Sequence, residues 1–357
     1  MSGRGQRPGR IAMLRKLMRE RGISALLVTR RENVRYLTGF TGSAGSALIG
    51  ASGRPILVTD FRYQEQAGAE APGVKLLIQK KDHFTAIKAA AEQAGTGTLW
   101  FDETSLTLDR VKALRKLKLR LRGTKDLLAE LRRQKDGFEL ALIRKAVRRA
   151  EQAFRETMPH VKAGATEREL GLRLEILIRE QGSRRAAFDI IVASGRNGAL
   201  PHASVSDRRL REGDLVTFDF GAEADGYYSD ITRTVCVGRP TERQREVHAL
   251  VLRAQQNAIH AAGPGIDCAV VDRAARSTIE NAGHGTQFGH ATGHGIGLEV
   301  HEAPTVSALS KAVLKEGMVF TVEPGVYITG WGGVRIEDMV LVTRDGRRVL
   351  TSLPRDL

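Results

Sequence analysis

The chain has 357 residues, which is too long for one ordinary domain and about right for two. Hydrophobic residues make up 41% and charged residues 27%, as in a soluble globular protein; the two cysteines, Cys236 and Cys268, exclude a disulfide framework and a four-thiolate zinc site. The formal net charge of +15 raises a nucleic-acid partner, but aromatics are only 5% and no helix-turn-helix, zinc-finger or RNP signature is present. The basic residues spread over stretches that read as helical, such as Arg110 to Arg122 and Arg132 to Arg149. They are expected to be solvated helix faces, with no specific nucleic-acid partner and at most weak polyanion binding. No apolar run is long enough to span a bilayer, so no membrane partner is expected. The low cysteine count is compatible with a reducing cytoplasm, the expected location.

In chain order, residues 1–9 read as a disordered basic tail rather than a signal peptide, because no apolar segment follows them. Ile11 to Arg21 carries Ile11, Leu14, Leu17 and Met18 at helical spacing, and Gly22 ends that helix. Ala25 to Val28 reads as a buried strand, and Asn33 to Phe40 with Thr41 to Ser46 as a turn-rich segment. Ile56 to Thr59, Leu76 to Ile78 and Leu99 to Phe101 are further strand candidates, with helical patterns over Phe84 to Ala94 and Leu108 to Leu119. This alternation argues for an α/β domain with a mixed sheet. Leu131 to Gly137 is polar, and a long helix starts near Phe138; the domains are accordingly expected at residues 10–134 and 135–357.

The second domain contains an internal repeat. Leu210-Arg-Glu-Gly-Asp-Leu-Val-Thr-Phe-Asp-Phe-Gly221 aligns with Leu314-Lys-Glu-Gly-Met-Val-Phe-Thr-Val-Glu-Pro-Gly325 at an offset of 104, from 323 − 219. Upstream, Gly164-Ala-Thr166 matches Gly265-Ile-Asp267 at an offset of 101, from 265 − 164, and Thr166 and Asp267 are expected N-caps. Each half reads as glycine, cap, helix, a loop with histidine, a strand carrying a carboxylate, and a second strand carrying another. The first carboxylates are Asp219 and Glu323; the second are Asp230 and Glu337. Two halves about a pseudo-two-fold would bring all four to one point. Burying an unpaired carboxylate costs several kcal/mol, at least about 3. A bound cation offsets that cost. Gly293-His294-Gly-Ile-Gly297 supplies the best nitrogen donor, His294, among glycines that permit close approach. Such an oxygen-rich site suits Mn(II) or Co(II), with Zn(II) and Fe(II) as alternatives. Two cations about 3.5 Å apart can share a water and generate hydroxide near neutral pH.

Phe218 to Thr232, His290-Ala-Thr-Gly-His294-Gly-Ile-Gly, Val300-His301-Glu302, Glu323-Pro-Gly and Arg335-Ile-Glu-Asp together resemble the pita-bread metallopeptidases, over most of residues 140–350. Arg35-Tyr-Leu-Thr-Gly-Phe-Thr-Gly and Thr59-Asp-Phe-Arg-Tyr resemble the N-terminal domain of the prolidase branch. The resemblance implies a creatinase-like α/β domain followed by a pita-bread catalytic domain, in a homodimer with the N-terminal domain of one subunit near the other's active site. It implies Asp219 as ligand to one metal, His294 and Glu323 to the other, and Asp230 and Glu337 as bridges. Glu323 would also be the general base toward a metal-bridging hydroxide. His202, His290 and His301 would serve the scissile carbonyl and the leaving nitrogen, Arg335 would pair with a ligand carboxylate, and Tyr327 would lie near the pocket. The implied reaction is hydrolysis between an N-terminal residue and proline, on peptides with proline at the second position. Two alternatives stand beside it: a non-catalytic pita-bread binding module, and a hydrolase of a different small amide. His83, His160, His248, His260 and His284 match nothing and read as structural or exposed.

Overall fold

A computed structural model describes residues 7–125 and 127–357, which form two compact units divided between Arg132 and Arg133.

In the first unit, helix α1 (Arg7–Glu20) buries Leu14 and Met18. Its start at Arg7 corrects the expected tail: residues 7–9 are helical, while residues 1–6 lie outside the described residues. Strand β1 (Ala25–Val28) follows, then α2 (Arg31–Thr38), where a turn-rich segment was expected. Val34, Tyr36 and Leu37 are buried on it, and Gly39 closes it in the left-handed conformation at φ 83°. Strands β2 (Ser46–Gly50) and β3 (Ile56–Thr59), helix α3 (Gln64–Glu70), β4 (Lys75–Ile78), α4 (His83–Gln93), β5 (Thr98–Asp102), α5 (Leu108–Lys116), β6 (Arg120–Thr124) and α6 (Leu127–Arg132) complete the unit. The sheet runs β4-β3-β2-β1-β5-β6 and is mixed: β1, β2 and β3 pair antiparallel, while β4, β5 and β6 join parallel. The basic stretch to Arg122 was expected to be helical throughout. It turns instead at Lys118, in positive φ, into an edge strand whose Arg120 is exposed.

In the second unit the repeat is visible element by element. Helices α7 (Gly137–Thr157) and α8 (Glu167–Glu180) precede β7 (Ile191–Ser194), β8 (Leu215–Phe220), the short hairpin β9 (Glu223–Ala224) and β10 (Tyr227–Tyr228), and β11 (Ile231–Cys236). Helices α9 (Glu242–Ala261) and α10 (Cys268–Asn281) precede β12 (Gly293–Gly295), β13 (Glu302–Val306), β14 (Val319–Val322), the hairpin β15 (Gly325–Ile328) and β16 (Gly332–Arg335), β17 (Asp338–Thr343) and β18 (Gly346–Val349). The Gly164 N–H donates to Leu210 O at 2.9 Å and the Gly265 N–H to Leu314 O at 2.8 Å, so the two halves are pinned by the same backbone bond. Both glycines have positive φ, 91° and 85°, which a side chain would strain. Thr166 caps α8 in a capping box with Glu169; Asp267 sits at the matching position of α10 without a side-chain cap bond, contrary to expectation. Long α7 starts in a capping box of Asp136 and Glu139.

Strand β8 pairs antiparallel with β7 and β11, and β14 with β12 and β17. Alternation along β8 sends Val216, Phe218 and Phe220 to the core, where Phe154 of α7 stacks on Phe220 with ring centroids 4.9 Å apart. Thr217 and Asp219 therefore point to the other face. The same pattern in β14 puts Phe320 and Val322 into the core beneath α9 and α10 and leaves Thr321, followed by Glu323, facing away. Where the two sheets meet, the Glu337 N–H donates to Thr232 O at 3.1 Å and Thr234 Oγ1 donates to Arg335 O at 3.0 Å.

Candidate active site

The four carboxylates reach one point because each leaves the non-core face at the end of a strand. Asp219 lies near the end of β8, Asp230 directly before β11, Glu323 directly after β14 and Glu337 directly before β17. Glycines let the strands close up: a Cβ on Gly293 would stand 1.9 Å from Thr321 O. Asp230, His294 and Glu337 offer ligand atoms that all lie within 4.8 Å of one another, a spacing that could hold a metal ion. His294 Nε2 is 3.5 Å from Asp230 Oδ2 and 3.5 Å from Glu323 Oε1. Its Nδ1 faces Gly295 O at 3.0 Å, which leaves Nε2 directed at the carboxylates.

This cluster is electrostatically costly. Burial, reinforced by the charges of Asp219 and Glu323, raises Asp230 well above the usual carboxylate range. Burial, reinforced by Asp230, Glu323 and Asp219, does the same to Glu337. Glu323 is pushed up to about 8, chiefly by burial, with Arg335 pulling it down and Asp219 pushing it further up. Burial lowers His294 to about 4, so it is a neutral donor atom at physiological pH. Asp219 Oδ1 and Glu337 Oε1 are buried and lack a hydrogen-bond partner, which is unusual in a folded protein. A divalent cation would satisfy both atoms and reverse the cost, so the donor set fits such an ion.

Arg335, buried on β16, ties the site together. Its Nη2 donates to Asp219 Oδ2 at 2.7 Å, its Nη1 to Tyr327 Oη at 2.9 Å and to Pro201 O at 3.2 Å. Burial alone would lower its pKa, but the neighbouring Tyr327 and Asp219 outweigh that and raise it. Tyr327, raised to about 12 by burial, stays protonated and meets His290 Nε2 at 2.9 Å. Burial lowers His290 to about 4. Its Nδ1 faces Ala291 O at 2.8 Å, so both ring nitrogens are engaged here, and serving a substrate would mean exchanging the Tyr327 hydroxyl for it. His202 and His301 stand on the exposed rim. The His301 ring centroid is 4.3 Å from that of His294, and His202 is close enough to His290 for their charges to interact. Every residue singled out from the sequence is thus at or beside this one point.

The sequence reading missed the residues that orient the carboxylates and His294. Thr232 Oγ1 donates to Glu337 Oε2 at 2.8 Å and accepts from Arg335 Nε at 3.2 Å. Thr321 Oγ1 accepts from the His294 N–H at 3.1 Å and donates to Glu323 Oε1 at 3.2 Å. A signal for the second existed: Thr217 and Thr321 are identical in the repeat and stand two residues before Asp219 and Glu323, on the same strand face.

Residues 141–344 match metallopeptidase family M24, and residues 10–134 match the creatinase/prolidase N-terminal domain. The chain belongs to the M24 metallopeptidases: a creatinase-type N-terminal domain followed by a catalytic domain of a hydrolase whose family works with divalent metal ions. It is similar to the uncharacterized peptidase YqhT of Bacillus subtilis (strain 168), with 39% identity over 350 residues that cover 98% of this chain and 99% of that one. Among solved structures, the Xaa-Pro dipeptidase from Bacillus anthracis is 39% identical with a TM-score of 0.96, covering 98% and 99% of the two chains. The X-Pro aminopeptidase from Thermotoga maritima MSB8 is 38% identical with a TM-score of 0.89, covering 94% and 97%. No helix among the described residues is long and apolar enough to cross a membrane.

Proposed function

We propose that this protein is a dinuclear metallopeptidase that cleaves the bond between an N-terminal residue and proline, as an Xaa-Pro dipeptidase or Xaa-Pro aminopeptidase. The observation that carries the metal assignment is the convergence of Asp219, Asp230, Glu323 and Glu337 beside His294, with Asp230, Glu323 and Glu337 raised and with Asp219 Oδ1 and Glu337 Oε1 unsatisfied. The proline assignment is supported by full-length similarity to structures of an Xaa-Pro dipeptidase and an X-Pro aminopeptidase.

In this reading Asp219 would hold one cation, His294 and Glu323 would hold the other, and Asp230 and Glu337 would be shared between them. Mn(II) suits the oxygen-rich set best, with Co(II), Zn(II) and Fe(II) as alternatives. When bound, the cations supply a water acidified to near neutrality and polarise the scissile carbonyl. Glu323 accepts the proton of the attacking water. His202 and His301 approach the substrate from the rim, and His290 from beside Tyr327, to hydrogen-bond the carbonyl oxygen and the leaving nitrogen. Arg335 fixes the orientation of Asp219. Residues 10–134 form the N-terminal domain and 135–357 the catalytic domain of a homodimer, and the two free cysteines fit a cytoplasmic location.

The test is hydrolysis of Ala-Pro and Ala-Pro-Ala by metal-stripped protein refilled with Mn(II), beside Ala-Ala-Ala and Met-Ala-Ser. Metal-dependent cleavage confined to the proline peptides supports the reading, and their ratio separates dipeptidase from aminopeptidase. Stoichiometric metal with no cleavage overturns the substrate and favours another amide or a binding role.

A further inference from the structure

Beyond the metal cluster, three more carboxylates among the described residues are fully buried: Asp338 on β17, which is held by Arg233 and Arg355, and Glu167 on α8 and Asp272 on α10, the two helices equivalent in the repeat. The two helical ones stand apart. Neither faces the metal cluster. Each faces the loop that leads to the histidine of its own half. Glu167 Oε1 accepts from the Ser194 N–H and Oγ, both at 2.7 Å, and Glu167 Oε2 accepts from the Ser206 N–H at 3.2 Å and Oγ at 2.5 Å. Asn197 Nδ2 donates to both oxygens at 3.1 and 3.2 Å. These three residues enclose the segment that carries His202, the first of them at its start and the last at its end.

Asp272 does the same work in the other half through one intermediary. It accepts from Thr292 Oγ1 at 2.7 Å and from Arg276 Nε and Nη2, both at 2.9 Å. Arg276, thus oriented, donates to Phe288 O at 3.0 Å and His290 O at 2.9 Å, with its guanidinium 4.3 Å from the Phe288 ring centroid. Thr292 O in turn accepts from the Glu323 N–H at 2.8 Å. The brace is not a copied residue. The 101-residue offset sets Glu167 against Cys268 and Gly171 against Asp272, so the carboxylate stands one helical turn further along in the second half. At Gly171 a Cβ would lie 2.9 Å from Val205 Cγ1, so in the first half the loop itself occupies the place that the acid takes in the second. Two different solutions on equivalent helices to the same task argue that the task matters.

We propose that Glu167 and Asp272, the latter through Arg276, are positioning residues that hold the His202 and His290 loops in register with the reacting carbonyl. This rests on the substrate-side role of those histidines in the proposed function. A carboxylate accepting several hydrogen bonds from loop N–H and hydroxyl groups fixes that loop without touching substrate. Misplacing a group by about 1 Å costs on the order of a hundredfold in rate.

The test uses the Mn(II)-loaded full chain with Glu167→Gln and Asp272→Asn, and with the milder Ser206→Ala and Arg276→Lys in case either isostere fails to fold. Hydrogen exchange is read peptide by peptide, together with bound metal, kcat and KM on Ala-Pro. Glu167→Gln is expected to speed exchange about tenfold within residues 195–206 alone, and Asp272→Asn within residues 286–293 alone. Metal stays at the parent level, kcat falls on the order of 10–100-fold, and KM changes by less than about threefold. Ser206→Ala and Arg276→Lys follow in the same loops with smaller falls. Uniformly faster exchange, or none, overturns the proposal, as does local loosening with unchanged kcat. If the parent protein cleaves no proline peptide, the proposed function fails and the exchange pattern alone decides the bracing.

Discussion

Asp230 and Glu323 differ in what a substitution at each would report. Asp230 offers a ligand atom within 4.8 Å of those of His294 and Glu337 and accepts no proton in the proposed chemistry, so Asp230→Ala should remove metal and activity together, read by elemental analysis and turnover. His202 is exposed and bonds to none of the carboxylates. His202→Ala should therefore keep its metal and lose on the order of 10²-fold in kcat; loss of metal would place it among the ligands instead. The titration of Glu323 gives a second expectation. Its folded pKa of about 8 lies above the unfolded value of about 4.5, so without a cation the folded state holds a proton that the unfolded state has lost. That stabilisation is complete below about pH 4.5 and drains away as the pH climbs through about 8. Asp230 and Glu337, also raised, act in the same sense. Metal-stripped protein should therefore lose thermal stability as the pH rises from about 4.5 to about 8, and Mn(II) should flatten that slope while releasing protons to the buffer. A slope unchanged by metal would mean that these carboxylates are not the ligands.

At the scale of the element, the two halves offer an internal comparison. Thr166 closes a capping box at α8, whereas Asp267 makes no side-chain cap bond at α10. Thr166→Ala should destabilise by about 1 kcal/mol in urea melts, and Asp267→Ala by less than about 0.5 kcal/mol. Equal losses would show that the repeat, not the local bond, sets the value. Gly293→Ala tests the strand contact itself: a Cβ 1.9 Å from Thr321 O must push β12 from β14, costing about 1–3 kcal/mol and displacing His294, so metal affinity should fall as well. The elements themselves were largely legible. Ala25 to Val28 and Ile56 to Thr59 stand as strands with the bounds read from the sequence, because short β-branched and leucine runs between turn residues leave little choice. The segment from Asn33 was misread because Arg31-Glu-Asn-Val-Arg-Tyr holds no strong helix former on its buried side; packing of Val34, Tyr36 and Leu37, not propensity, makes it a helix. Strand β6 was missed because its exposed arginines sit on a sheet edge, where alternation is weak.

Across the whole chain, the carboxylate cluster was readable because burial of an acid within an apolar strand is so costly that it needs a reason, and the repeat supplied that reason twice. The braces were not readable, since Glu167 and Asp272 lie on helices whose polar residues are indistinguishable from solvated ones until the loops are folded over them. On the proposed metal assignment, cation binding is part of the folding free energy of the second unit. A chelator should lower Tm, by the equivalent of about 2.7 kcal/mol if free metal had stood at a hundred times its Kd, and magnesium-free refilling with Mn(II) should restore it. A Tm indifferent to chelation would sink the metal assignment.

The shared bonds from Gly164 to Leu210 and from Gly265 to Leu314 have a consequence for how such a centre can diversify. A single half paired with an identical copy would place its ion on the dyad, where each ligand must appear twice and any change is doubled. Joining both halves in one polypeptide lifts that constraint. Asp219 and Glu323 differ by one methylene, and only one half contributes His294, so the two ion positions of the proposed dinuclear site would be free to become unequal, one tuned for retention and the other for exchange.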